Sequence, residues 1–206
     1  GDYAFLSHMI YHLDEKNGKL GIVLDNGSMS VTGQDKKIRQ AMIEDDLIDC
    51  MITLPTNLFF TTPIAACLWF VVKNKDDKKT RMRKGETLFI HAREIFTKID
   101  SAHNELSIQQ IQQITDTYRS YTGQKGYPPY KDMPGYCKVV KKEDIAKKKY
   151  VLTPSAHIGL KQLKKDKEAF PEKMKRLTQE YVQLKKKSSE LDEKINANLA
   201  KITHDK

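Results

Sequence analysis

A chain of 206 residues, 39% hydrophobic and 31% charged, is long enough for a modest globular part with a polar extension. Its 36 Lys and Arg against 27 Asp and Glu give a net charge of +9, which favours polyanionic partners through counterion release without by itself establishing nucleic-acid binding. No window approaches the roughly 20 uncharged apolar residues of a membrane span and no secretory signal opens the chain, so the composition reads as a soluble, cytoplasmic protein.

The first element is helical: in "DYAFLSHMIYHL" the residues Phe5, Leu6, Met9, Ile10 and Leu13 form an apolar stripe, which Asn17-Gly18 ends. "KLGIVL" is a short apolar run that predicts a strand buried on both faces, closed by the turn formers of "DNGSMS". The unit then repeats. "DKKIRQAMIEDD" predicts a helix with Asp35 as its cap, "LIDCMITLP" a strand ended by Pro55, and "AACLWFVVK" a longer strand. Alternating helices and apolar strands argue for an α/β sheet covered by helices. Cys50, Cys67 and Cys137 have no CxxC or metal-ligand spacing, so they are expected as buried, reduced thiols.

"KNKDDKKTRMRK" predicts a solvated loop, and the adjacent carboxylates Asp45-Asp46 and Asp76-Asp77 predict solvated surface. "ETLFIHAR" is one more strand, and "NELSIQQIQQITDTYRSY" places Leu106, Ile108, Ile111, Ile114 and Tyr118 mostly at helical spacing. Residues 122–135 carry two internal glycines, three prolines and two tyrosines, an irregular segment that aromatic packing or a partner must anchor. "YCKVV", "KKEDIAKKK" and "YVLTP" predict a short strand, a short helix and an extended stretch.

The last 46 residues differ in kind. Leu163, Phe170, Met174, Leu177, Tyr181, Leu184, Leu191, Ile195 and Ile202 fall on alternating steps of three and four, with Lys167, Ser188 and Asn198 in the same register. No Gly or Pro follows Pro171, which predicts one helix of about 30 residues. Apolar only along one seam, such a helix requires a partner helix, as in a coiled coil. The expected organisation is therefore residues 1–100 as a sheet domain, 101–160 as a helical and irregular extension, and 161–206 as a docking tail.

Familiar catalytic signatures are missing: the sequence has no GxGxxG, no GxxxxGK[ST], no HExxH and no GxSxG. An ordered set of segments is more informative. "GKLGIVLDNGSMS", "IRQAMIEDDLIDCMITLPTNLFFTTPIAACLWFVVKNK", "LFIHAR", "HNELS" and "GYCKVVKKEDIAKKKYVLTPSAHIG" together resemble the C-terminal half of the methylation (M) subunit of type I restriction-modification systems, over about residues 1–160.

The resemblance implies a Rossmann-like adenine-N6 DNA methyltransferase that uses S-adenosylmethionine. It also implies a fragment that begins after the cofactor turn and the Asn-Pro-Pro-Phe motif, is inactive alone and binds no cofactor. Members carry "LFYTT" where this chain has Leu58-Phe59-Phe60-Thr61-Thr62, which assigns Phe59 first and Phe60 second to stacking on an extruded adenine in double-stranded DNA. Two departures stand out: Asp25 precedes Asn26-Gly27 where a small residue or proline is usual, and "TPSAHIG" replaces "TPGRYVG". The implied partners are the specificity (S) subunit, docked through the tail, and the restriction (R) subunit. A rival assignment is a non-catalytic coiled-coil adaptor, and self-association of the chain is a further expectation because a sheet lacking its first strands has an unpaired edge.

Overall fold

The computed structural model describes residues 1–76, 80–159 and 170–203, with side chains placed as far as Leu199 within the last segment. The chain separates into two units, Gly1–Gln162 and Leu163–Lys206.

In the first unit a five-stranded sheet has the order β1-β3-β2-β4-β7. Its strands are β1 (Lys19–Asp25), β2 (Ile48–Thr53), β3 (Ala66–Val72), β4 (Glu86–His91) and β7 (Cys137–Lys141). β3 is antiparallel to both β1 and β2, whereas β2 and β4 are parallel. The strands β1, β2 and β4 thus all end on the same side of the sheet. β7 returns antiparallel to β4, and a small ladder of β5 (Thr97–Lys98) and β6 (Asn104–Glu105) lies outside the main sheet.

Helices cover both faces. On one, α1 (Asp2–Tyr11), α2 (Gln34–Glu44) and α4 (Lys142–Lys147) bury Tyr3, Leu6, Met42, Ile43 and Ile145 against Trp69, Val71 and Phe89. On the other, α3 (Ile108–Thr122) packs Ile114, Tyr118 and Tyr121 over Cys50, Ile52, Leu88 and Ile90. The α3 boundaries have plain causes. Ser107 and Gln110 form a capping box, and Gly123, at φ 70°, takes the left-handed position that ends the helix. Arg39 is buried and ties the first face together, donating from Nε to the Tyr150 carbonyl at 2.8 Å and from Nη1 to the Tyr3 hydroxyl at 3.2 Å.

Several expectations are corrected. β1 is not buried on both faces: Leu20, Ile22 and Leu24 pack on the core while Gly21 and Val23 stay exposed. The reason is the reach of α3: neither Gly21 nor Val23 joins the cluster packed under that helix. Asp35 lies inside the first turn of α2, where its charge suits the helix dipole, and Gly33 occupies the cap.

The charged run is not simply solvated either. Lys75 and Arg83 are buried, each paired with groups at or near the starts of β2 and β4. Lys75 Nζ donates to Asp46 Oδ1 (2.6 Å) and to the carbonyls of Ile48 and Glu86, and Asp46 Oδ2 accepts from the Gly85 amide. Arg83 Nε meets Asp49 Oδ1 at 3.1 Å. Asp76 does keep the surface position expected of it, while Asp77 lies outside the described residues. All three cysteines are free and buried. The irregular segment is anchored by aromatic contact as anticipated: the Tyr130 ring meets Tyr121 edge-on, and Arg119 donates to the Tyr127 hydroxyl.

In the second unit α5 (Phe170–Thr203) is one unbroken helix of 34 residues. Among the described residues no helix is long and apolar enough to cross a membrane.

Candidate functional site

In open α/β sheets ligands gather at the carboxyl ends of parallel strands, here the side where Asp25, Thr53 and His91 end β1, β2 and β4. Thr53 Oγ1 and His91 Nδ1 meet at 2.9 Å across two strand ends. Burial lowers the His91 pKa below its usual value, since a charged ring would be poorly solvated there.

The chain leaves β2 through Leu54-Pro55 and doubles back before β3. Asn57, at φ 59°, supplies a left-handed residue that Asn tolerates well. The Phe59 carbonyl accepts from the Thr62 amide at 3.4 Å, which makes Phe59-Phe60-Thr61-Thr62 a four-residue turn. Phe60, at the corner, is 89% exposed and Phe59 is 42% exposed. Both line a surface pocket of about 410 Å³ together with Asn57, Pro63, Ala102 and His103.

His103 and Asp100 were not singled out from sequence. The Phe60 ring stacks on the His103 ring, centroids 4.7 Å apart and planes 22° off parallel. Asp100 Oδ1 accepts from the Ala102 and His103 amides (2.7 and 2.8 Å), and its carboxylate approaches His103 Nδ1 at 2.8 Å. Chiefly that imidazole contact holds the Asp100 pKa below its usual value. The β5–β6 hairpin is also bound to the aromatic loop, because Asn104 donates from its amide to the Asn57 carbonyl and from Nδ2 to the Thr56 carbonyl. The Asp-x-x-His spacing in "DSAH" was the available signal, since an Asp that accepts from amides two and three residues on closes such a turn.

The turn at the end of β1 is closed on itself. The carboxylate of Asp25 folds back to accept from the Gly27 amide, and a Cβ at Gly27 would lie 2.7 Å from Asp25 Oδ1. The strand-end carboxylate is thereby engaged within its own turn.

The "TPSAHIG" stretch is structural. His157 is buried, stacks on Phe89 at 4.3 Å and uses Nε2 to donate to the Val151 carbonyl. Along α5, Phe170, Met174, Leu177, Tyr181, Leu184, Leu191 and Ile195 are all exposed. Leu163 lies outside the described residues, as does the side chain of Ile202.

The fold is thus a mixed sheet with helices on both faces and an exposed aromatic turn following the end of β2. The family model of N-6 DNA methylases matches residues 1–166, and the chain belongs to that family.

The type I restriction enzyme HindI methylase subunit of Haemophilus influenzae is 40% identical over 199 residues, 96% of this chain and 43% of its own length. The chain thus spans less than half of that relative. A type I restriction-modification methyltransferase subunit from Streptococcus thermophilus superposes with a TM-score of 0.63 at 30% identity, covering 74% of this chain and 29% of that one. A chain from a structure on complex assembly and conformational transition of the type I system gives a TM-score of 0.57 at 15% identity, over 95% of this chain and 39% of that one. At that identity the likeness is one of fold. The methylase-subunit resemblance drawn from the ordered segments therefore stands.

Proposed function

We propose that the chain is part of a type I DNA methylase subunit that transfers a methyl group from S-adenosylmethionine to adenine N6, in a site chosen by a specificity subunit. Phe59 and Phe60 form the aromatic surface for the extruded adenine, and the donor is held by residues outside this chain. The observation that carries this is the aromatic turn itself: two phenylalanines exposed beside a surface pocket in the loop that follows β2, within a chain of the N-6 DNA methylase family. Exposed aromatic faces are otherwise costly to hydration, and enzymes that modify a base need such a surface once it leaves the stack.

The experiment is methyl transfer by the complete methylase assembled with its partner subunits. Stacking of ~1 to 3 kcal/mol per base corresponds to a loss of roughly 5- to 150-fold in kcat/KM for Phe59→Ala or Phe60→Ala. Activity within two-fold of wild type in both variants would remove the aromatic turn from the mechanism. Residues 1–206 alone are proposed to be inactive, which a labelled-methyl assay above blank would contradict.

The tail carries the second half of the function. The exposed seam of α5 is proposed to dock helices of the specificity subunit, the restriction subunit joining that assembly. The same seam would serve a non-catalytic coiled-coil adaptor, and the two differ in outcome: a heteromeric complex with the specificity subunit favours the methylase, self-association alone the adaptor.

A further inference from the structure

An exposed phenylalanine at the corner of a turn has several rotamers open to it, and fixing a side chain on binding costs entropy. Phe60 does not stand alone. One face of its ring stacks on His103, nearly parallel at 4.7 Å, while the residue as a whole stays 89% exposed. His103 is itself held. Its Nδ1 lies 2.8 and 3.0 Å from the two Asp100 carboxylate oxygens, and the next residue, Asn104, is bonded to the carbonyls of Thr56 and Asn57 at the base of the aromatic loop.

We infer that His103 is a positioning residue: it fixes the plane of Phe60 so that the opposite, open face meets a purine base, in the order imidazole, phenyl, purine. This rests on the aromatic turn being the base-contact surface. A planar ring is needed because only a flat neighbour defines the plane of another at stacking distance. Asp100 supplies the orientation of that neighbour, acting one layer further back.

The test uses the full 206-residue chain labelled with 4-fluorophenylalanine, with the fluorine resonances of Phe59 and Phe60 followed as adenosine is added. Phe60→Ala is expected to weaken adenosine binding at least five-fold. His103→Ala is expected to do the same, while His103→Phe, which keeps a flat ring, stays within two-fold of wild type. Asp100→Asn should fall between two- and five-fold. Trp69 emission, from the core, verifies that each variant is folded. If His103→Ala binds within two-fold of wild type while Phe60→Ala does not, the positioning role is overturned and the base contact stands. If His103→Phe is as weak as His103→Ala, the role is also overturned, since a flat ring would then not suffice. If neither Phe59→Ala nor Phe60→Ala changes binding, the base-contact surface fails and the inference with it.

Discussion

Asp49 is fully buried and still carries three donors. Arg83 approaches from one side, and the Tyr118 hydroxyl donates to Oδ2 at 2.6 Å from the other. Burial works against the charged arginine, but the Asp49 carboxylate outweighs it and raises the Arg83 pKa. Burial, then the same carboxylate, drives the Tyr118 hydroxyl far above its ordinary pKa. Removing one member leaves an unpaired buried charge, so Arg83→Leu is expected to cost about 3–5 kcal/mol in urea unfolding followed at Trp69. A second residue sets a pH dependence. Burial lowers the His157 pKa below 6.5, opposed by its bond to Val151, and Nδ1 is buried without a partner. The folded protein therefore binds this proton less readily than the unfolded chain. Stability from His157 is full above about pH 6.5 and is lost as pH falls from there through the folded pKa. Thermal melts at pH 7.5 and 5.5 should show a smaller decline for His157→Phe than for wild type. None of these contacts was legible beforehand. The partners of Lys75 and Arg83 lie 29 and 34 residues away, and a run of charges does not reveal which members turn inward.

Most elements could be read because their period is local. The helices α1, α2 and α3, the apolar runs of β2, β3 and β4, and the unbroken tail all appear where spacing placed them, although Phe5 and Met9 of the α1 stripe and Ile108 and Ile111 of α3 are exposed. How buried each would be was not legible for β1, because an apolar run does not state whether helices will cover both faces of a strand. The aromatic turn was located by its residues, but the hairpin that braces it joins two strands of two residues each, too short to have a period. The α5 seam is the clearest case of a pattern with a functional meaning. Leu177→Asp with Leu184→Asp places two charges on it and is expected to weaken binding of the specificity subunit at least ten-fold in a pull-down or calorimetric titration. The core transition seen by Trp69 should not move, since each unit is stabilised by its own contacts.

For the molecule as a whole, the two units should lose structure separately. The core unit holds the buried contacts that make unfolding cooperative, and its single tryptophan, Trp69, is fully buried there. A helix with an exposed apolar seam depends on propensity alone until a partner arrives. Heating the unpartnered chain is expected to give a broad early loss of helical circular dichroism from α5, followed by a sharp transition that Trp69 fluorescence reports. Adding the specificity subunit should bring the first phase up toward the second. A single coincident transition in the unpartnered chain would show that the units are coupled.

The two margins of the sheet are not alike. β7 presents Lys138 and Lys141 outward, a charge fringe of the kind that repels strand-to-strand addition. β1 presents Lys19 at its start and Val23, about half exposed, with one side of its ladder open among the described residues. If two copies were to join through β1, the borders left outward would carry Lys138 and Lys141, which disfavours further addition.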